Sequence, residues 1–427
     1  MGSWRYSFVL ISLLWVSAAL ASKAPVPIFP RPLSTGQYLI DAYLSEDKDS
    51  DEANRRFLTL TQIETSPGRV TAQLQTWSHD AEVAGAKWIY EPESFNQDFP
   101  YGLVSRGPRT SAGQNQWLVI RQRDPQQRWA LKWLALDANG KYLNEFSQPS
   151  LFKTLDDWSL ESATENLPNQ ACALLGSQHE LKSYLEIQCI FPNGMNGIRF
   201  SYALQPDEQL TGFKDAFGAS TVSGSITGFY VGTSQRVLAF NTAGRLMWAS
   251  LTPATGLRVV GSRLFLTHPR TGSAALDLRT GARVASAPKL LGAYVDASPD
   301  QKSIAIGHTV MKSDDGDTWD MRLTLVRARD LSTVWEKNLD LGAEDFLNAM
   351  RFDSSSRVWI TGLSAEYVQG HWGGRNREEH TLTVAYSLEG QELFRDLRKN
   401  ASQPTLLEPQ GSFMVLLTMM GFGQVYR

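Results

Sequence analysis

Two cysteines and six histidines in 427 residues leave little material for haem, zinc or dithiol chemistry. There is no Cys-Cys pair, no Cys-x-x-Cys and no Cys-x-x-Cys-His, and His179-Glu180 lacks the second histidine that a zinc-protease helix needs. No Gly-x-Ser-x-Gly elbow occurs; in Gly224-Ser225-Ile226-Thr227-Gly228 the serine is misplaced. Gly421-Phe422-Gly423 falls in a strand-like region rather than at the start of a helix, so it is no phosphate-binding loop. An excess of one charge is also missing, since 41 basic and 44 acidic residues give a formal net charge of −3. Nucleic-acid binders and polybasic membrane binders need concentrated positive charge, and neither class fits. The acidic run 45–52 reads as solvated loop. Beyond the first two dozen residues no apolar run is long enough to span a bilayer, and almost nothing repeats with a helical period.

The N-terminus has the anatomy of a secretion signal. Arg5 supplies the positive charge, Phe8 to Val16 the apolar core, and Ala19-Leu20-Ala21 a small-residue cleavage site. Residues 1–21 are therefore expected to be removed, 22–54 to form a Pro-rich and acidic leader, and 55–427 a single domain. No cysteine follows the apolar core, which excludes the bacterial lipoprotein route. The mature chain is expected in the periplasm or outside the cell, as a monomer without membrane insertion. In an oxidising compartment Cys172 and Cys189 are expected to pair, with two buried free thiols as the alternative. Closing a loop of that size stabilises a fold by about 3 kcal/mol in the chain-entropy view.

What the chain has in quantity is a repeat. Ala135-Leu-Asp-Ala-Asn-Gly140, Ala239-Phe-Asn-Thr-Ala-Gly244 and Ala385-Tyr-Ser-Leu-Glu-Gly390 align without gaps, and Ala275-Leu-Asp-Leu-Arg-Thr-Gly281 is one residue longer. The Asp, Asn or Ser caps a turn through its side-chain oxygen, and the glycine supplies the positive φ. A strand with alternating apolar residues follows each turn. Leu325 to Trp335 is a copy that has lost its glycine, and weaker copies turn near Gly68 and Gly194. A strand–turn–strand unit cannot bury its own apolar face, so copies must stack. The expected fold is all-β: a β-propeller of four-stranded antiparallel sheets, seven by the turn count, with an eighth possible in the long gap between Gly68 and Gly140. Phe413 to Thr418 reads as a buried strand, and Tyr38-Leu39-Ile40 as its candidate partner in a sheet shared by both ends.

The pattern Ala-Leu-Asp-x-x-Thr-Gly-x-x-x-Trp resembles the pyrroloquinoline-quinone-like propeller repeat. Ala275 to Gly281 matches its core with Ala285 in place of the Trp, Ala239 to Trp248 keeps the Trp, and Leu325 to Trp335 keeps the Trp but not the Gly. The resemblance implies that Trp248 and Trp335 dock one blade on the next. That superfamily contains quinone-dependent dehydrogenases and non-catalytic scaffolds. The adjacent cysteines that stack on the quinone in many of the enzymes are not present, so no cofactor is expected.

Two loops carry the candidate chemistry. Asp314-Asp315-Gly316-Asp317-Thr318-Trp319-Asp320 gathers four carboxylates around a glycine, as in part of a calcium loop. The bidentate Glu at the twelfth place is replaced by Leu325, which leaves an acidic hairpin tip as the plainer account. Residues 366–380 form a glycine-flexible loop in which Tyr367, His371, Trp372, Arg375 and Arg377 are the residue types of binding hot spots. The expected function is an exported, non-catalytic scaffold that binds a protein or glycan through its loops and does not bind nucleic acid. A propeller enzyme, with a site assembled in the central channel from different blades, is the alternative.

Overall fold

The computed structural model describes side chains in residues 128–135, 143–152, 172–191, 193–211, 228–311, 319–342, 344–366 and 378–399, and backbone strands alone in further segments between Val26 and Tyr426. The expected signal segment, residues 1–21, lies outside the described residues. All the regular structure described is β-strand, and strands pair into consecutive four-stranded antiparallel meanders.

The first seven meanders span 37–90, 104–149, 157–203, 219–250, 256–287, 294–339 and 344–399. The eighth joins Pro404–Gln410, Phe413–Thr418 and Gly423–Tyr426 to the short strand Val26–Pro27 from the other end of the chain. Meanders six and seven share one eight-stranded ladder through a single parallel bridge, Trp319 to Glu344. First strands of neighbouring meanders touch at every junction but that of the fourth and fifth, and Gln37–Ser45 touches both Val104–Thr110 and Pro404–Gln410. This is a β-propeller-type arrangement.

Three expectations change. The described strands form eight meanders against seven turn signals, because the terminal one has no glycine turn of the repeat type. Gly68 lies between the second and third strands of its meander, whereas the other turns lie between the third and fourth. The strand that completes the terminal sheet is Val26–Pro27, not Tyr38 to Ile40, which belongs to the first meander. Sheet structure thus begins inside the segment 22–54 that composition marks as leader.

The core is not central; it lies in layers between successive meanders. Cys172, Leu174, Leu185, Ile187 and Cys189 of the third pack with Phe229, Val231, Leu238 and Phe240 of the fourth. Val237, Ala239 and Trp248 of the fourth pack with Leu257, Leu264, Leu266 and Leu276 of the fifth. Consecutive residues such as Val237 and Leu238 therefore serve opposite layers, which is why the strand Val237–Phe240 is apolar throughout instead of alternating. Cys172 and Cys189 are directly opposed on neighbouring strands and form a disulfide, as expected.

The repeat's turn chemistry is visible atom by atom. Asn241 Oδ1 accepts the N–H groups of Ala243 and Arg245, Asp277 Oδ1 those of Arg279 and Thr280, and Ser387 Oγ those of Glu389 and Gln391. Gly244, Gly281 and Gly390 all have φ between 69° and 83°. Each glycine lies under an aromatic ring from the preceding meander. A Cβ at Gly244 would come 2.4 Å from Phe200, and one at Gly281 2.6 Å from Trp248. The Trp248 indole N–H donates to the Leu278 carbonyl at 3.0 Å, and the Trp335 indole to that of Leu388 at 2.9 Å.

Candidate functional site

Antiparallel meanders give the molecule two chemically different ends. One end holds the turns between first and second and between third and fourth strands, including every capped glycine turn. The opposite end holds the central hairpin of each meander and the crossings from one meander to the next. On the turn end, between meanders five and six, lies an open cleft of about 650 Å³ with Arg263, Lys302, Arg327 and Arg329 on its walls. These cations are largely engaged: Arg263 Nη1 donates to the Ala328 and Arg329 carbonyls, Lys302 pairs with Asp300, and Arg329 with Asp330.

The strands that carry the two candidate loops run to the hairpin end. The strands Ser303–Met311 and Trp319–Arg327 lead into and out of the acidic loop, and Val358–Gln369 and Arg375–Tyr386 lead into and out of the aromatic one. Asp314, Asp315, Asp317, His371 and Trp372 lie outside the described residues. Tyr367, Arg375 and Arg377 are placed by backbone: Tyr367 is registered opposite Arg377, and Gln369 opposite Arg375.

The ladder registers show that the aromatic loop is an arm. Pairing of Val358–Gln369 with the strand before it stops at Ala365, opposite Glu344. Pairing of Arg375–Tyr386 with the strand after it stops at His380, opposite Lys399. The two central strands go on pairing with each other through Glu366–Glu378 to Gln369–Arg375. Among the described pairs, a two-stranded ribbon thus outruns its own sheet.

Asp320 is the one carboxylate of the acidic loop whose side chain is described, and it is joined by residues the sequence did not single out. A carboxylate oxygen of each of Asp320, Asp340 and Asp345 lies within 4.8 Å of the others. Asp320 is the second residue of its strand, Asp340 begins the crossing into meander seven, and Asp345 is the second residue of Glu344–Phe352. Asp345 Oδ2 accepts the N–H groups of Leu341 at 2.7 Å and Gly342 at 3.3 Å. Burial, reinforced by the Asp320 charge, pushes the Asp345 carboxyl above the usual range despite those bonds. The signal for this cluster in sequence is faint, because its members come from different strands. Only the acidic character of Asp340-Leu-Gly-Ala-Glu-Asp345 marks the crossing.

No protein-family model matches the chain, and no curated protein matches it. Among solved structures, BamB from Moraxella catarrhalis is similar over 86% of this chain and 99% of its own, at 15% identity and a TM-score of 0.49. Kuenenia stuttgartiensis hydrazine synthase is similar over 63% of this chain and 76% of its own, at 11% identity and a TM-score of 0.43. The computationally designed Ika8 protein covers 76% of this chain with 97% of its own, at 11% identity and a TM-score of 0.37.

Proposed function

We propose that this chain is an exported, non-catalytic propeller of eight blades, of the pyrroloquinoline-quinone-like repeat type, that binds a protein partner through its hairpin end. The observation that carries this reading is the ribbon 366–378, which continues past both flanking strands. A two-stranded ribbon that outruns its sheet has backbone edges to which an extended peptide can add as a further strand. Tyr367, Arg375 and Arg377 along it supply the aromatic and guanidinium groups that anchor protein interfaces. The eight meanders, with Gln37–Ser45 against Pro404–Gln410, support closure into a ring. The Cys172–Cys189 disulfide and the N-terminal apolar segment support export.

A photo-cross-linking residue at Tyr367, in cells that produce the protein, tests the reading. A discrete adduct is expected from that position, is lost with Arg375→Glu and Arg377→Glu together, and is not formed from Leu393 on the outer strand of the same meander. The same yield from both positions, or an adduct indifferent to the charge reversals, would overturn it.

A further inference from the structure

The carboxylates of Asp320, Asp340 and Asp345 converge where meanders six and seven share a ladder, beside the Trp319–Glu344 bridge. Three like charges this close repel. Two buried atoms in the same place have unused bonding capacity. Asp345 is 0% exposed, and its Oδ1 accepts no hydrogen bond although Oδ2 accepts two. Ser364, directly across the ladder, is 1% exposed, and its Oγ is close enough to act on the Asp345 carboxylate yet makes no hydrogen bond of proper geometry. Leaving such groups unsatisfied costs about 1–3 kcal/mol each. Gly342 keeps the place open: a Cβ there would lie 3.2 Å from Ser364 Oγ and 3.0 Å from the Ala365 carbonyl oxygen.

We propose that Asp320, Asp340, Asp345 and Ser364 hold a divalent cation of the calcium class. The donors are all oxygen, the preference of a hard cation, and carboxylates mixed with neutral oxygens are the usual calcium set. The N–H groups of Leu341 and Gly342 hold Oδ2 and so orient the Asp345 carboxylate, with Oδ1 left to bind the metal. The bound ion would tie the 340–343 crossing to three strands of two meanders. It would also sit beneath the ribbon, whose first rung beyond the sheet is Glu366–Glu378. The proposed ligands do not include Asp314, Asp315 or Asp317, and the proposal stands whether or not the ribbon binds a protein.

The test uses the full chain stripped with a chelator, with terbium(III) and calcium chloride as probes. Trp319 adjoins Asp320, so terbium bound here is expected to show indole-sensitised emission that calcium displaces more effectively than magnesium. Calcium is also expected to raise Tm by roughly 5 °C at saturation. Asp340→Asn is the variant least able to disturb folding, because Asp340 is exposed; it should weaken both responses by about tenfold or more. Asp345→Asn should abolish the calcium response while raising the stability of the metal-free chain, since an amide removes the repulsion. The triple variant Asp314→Asn, Asp315→Asn, Asp317→Asn should bind as the parent does. No calcium response up to about 10 mM, above the range of weak extracellular sites, would overturn the proposal. So would a response unchanged in Asp340→Asn and Asp345→Asn, or one lost only in the triple variant.

Discussion

Ala285 and Leu331 occupy, between meanders five and six, the two places that Trp248 and Gly281 occupy between meanders four and five. Each of Ala285 and Trp248 is four residues past its turn, and each of Leu331 and Gly281 is the turn residue with positive φ, 61° and 69°. Where the ring is large the turn carries no side chain. Where the outer strand carries only Ala285, the turn carries Leu331, 4% exposed and within the cluster against which Ala285 packs. The two apparent defects of the repeat are therefore one exchange of volume across a single interface.

The exchange predicts strong coupling. Leu331→Gly removes a buried side chain and relieves a left-handed backbone, for a net loss of about 2 kcal/mol. Ala285→Trp alone overpacks the layer and costs about 1–3 kcal/mol. The double variant should recover to within about 1 kcal/mol of the parent, and urea unfolding of the four chains measures it. Additive losses would show that the two positions do not share the contact.

The disulfide joins directly opposed residues inside the layer between meanders three and four. Cys172→Ala with Cys189→Ala removes a constraint on the unfolded chain and leaves some empty volume, so a loss of about 3–4 kcal/mol is expected. Thermal melts with and without reductant read it: reductant should lower the parent's Tm and leave the variant unchanged.

Asp296 ties the first strands of three meanders. It accepts the Phe352 N–H at 2.8 Å and pairs with Arg258 at 3.2 Å. Asp296→Ala leaves a buried N–H without an acceptor and should cost about 2–3 kcal/mol. Asp296→Asn keeps an oxygen for Phe352 and loses only a pair whose arginine is 41% exposed, so about 1 kcal/mol is expected. Denaturant melts that rank Asn below Ala in stability would contradict this division of labour.

The all-β class was legible because turn chemistry is local, whereas the docking of Trp248 and Trp335 entered only as what the repeat's resemblance implies. Asn241, Asp277 and Ser387 sit at fixed offsets from their glycines, and the same spacing can be read in one dimension. In the terminal meander the strand Phe413–Thr418 and the sharing of its sheet by both chain ends were legible, but the closing strand was not, since Val26–Pro27 is two residues long and its partner strand lies at the far end of the chain. The Asp320–Asp340–Asp345 cluster was hidden for the same reason: a crossing and two strands supply it, and only Asp320 falls in a recognisable motif. Local signals thus describe the turn end, while the opposite end is made by long-range register.

His308 offers a test of burial by pH. It is 4% exposed, neither ring nitrogen makes a hydrogen bond, and Arg322 is registered opposite it on the next strand. Burial, with the Arg322 charge adding to it, lowers its pKa from 6.5 to about 4. At pH 7 the imidazole is neutral in both folded and unfolded chains and has no effect. Below pH 6.5 the unfolded chain takes up a proton that the folded one refuses until about pH 4, so stability falls as pH drops through that window. The full loss is about 3 kcal/mol and should level off below pH 4. His308→Leu, which cannot titrate, should flatten the 6.5-to-4 segment of a stability–pH curve measured by urea unfolding. A parent curve already flat there would mean that the folded chain protonates His308 as readily as the unfolded one.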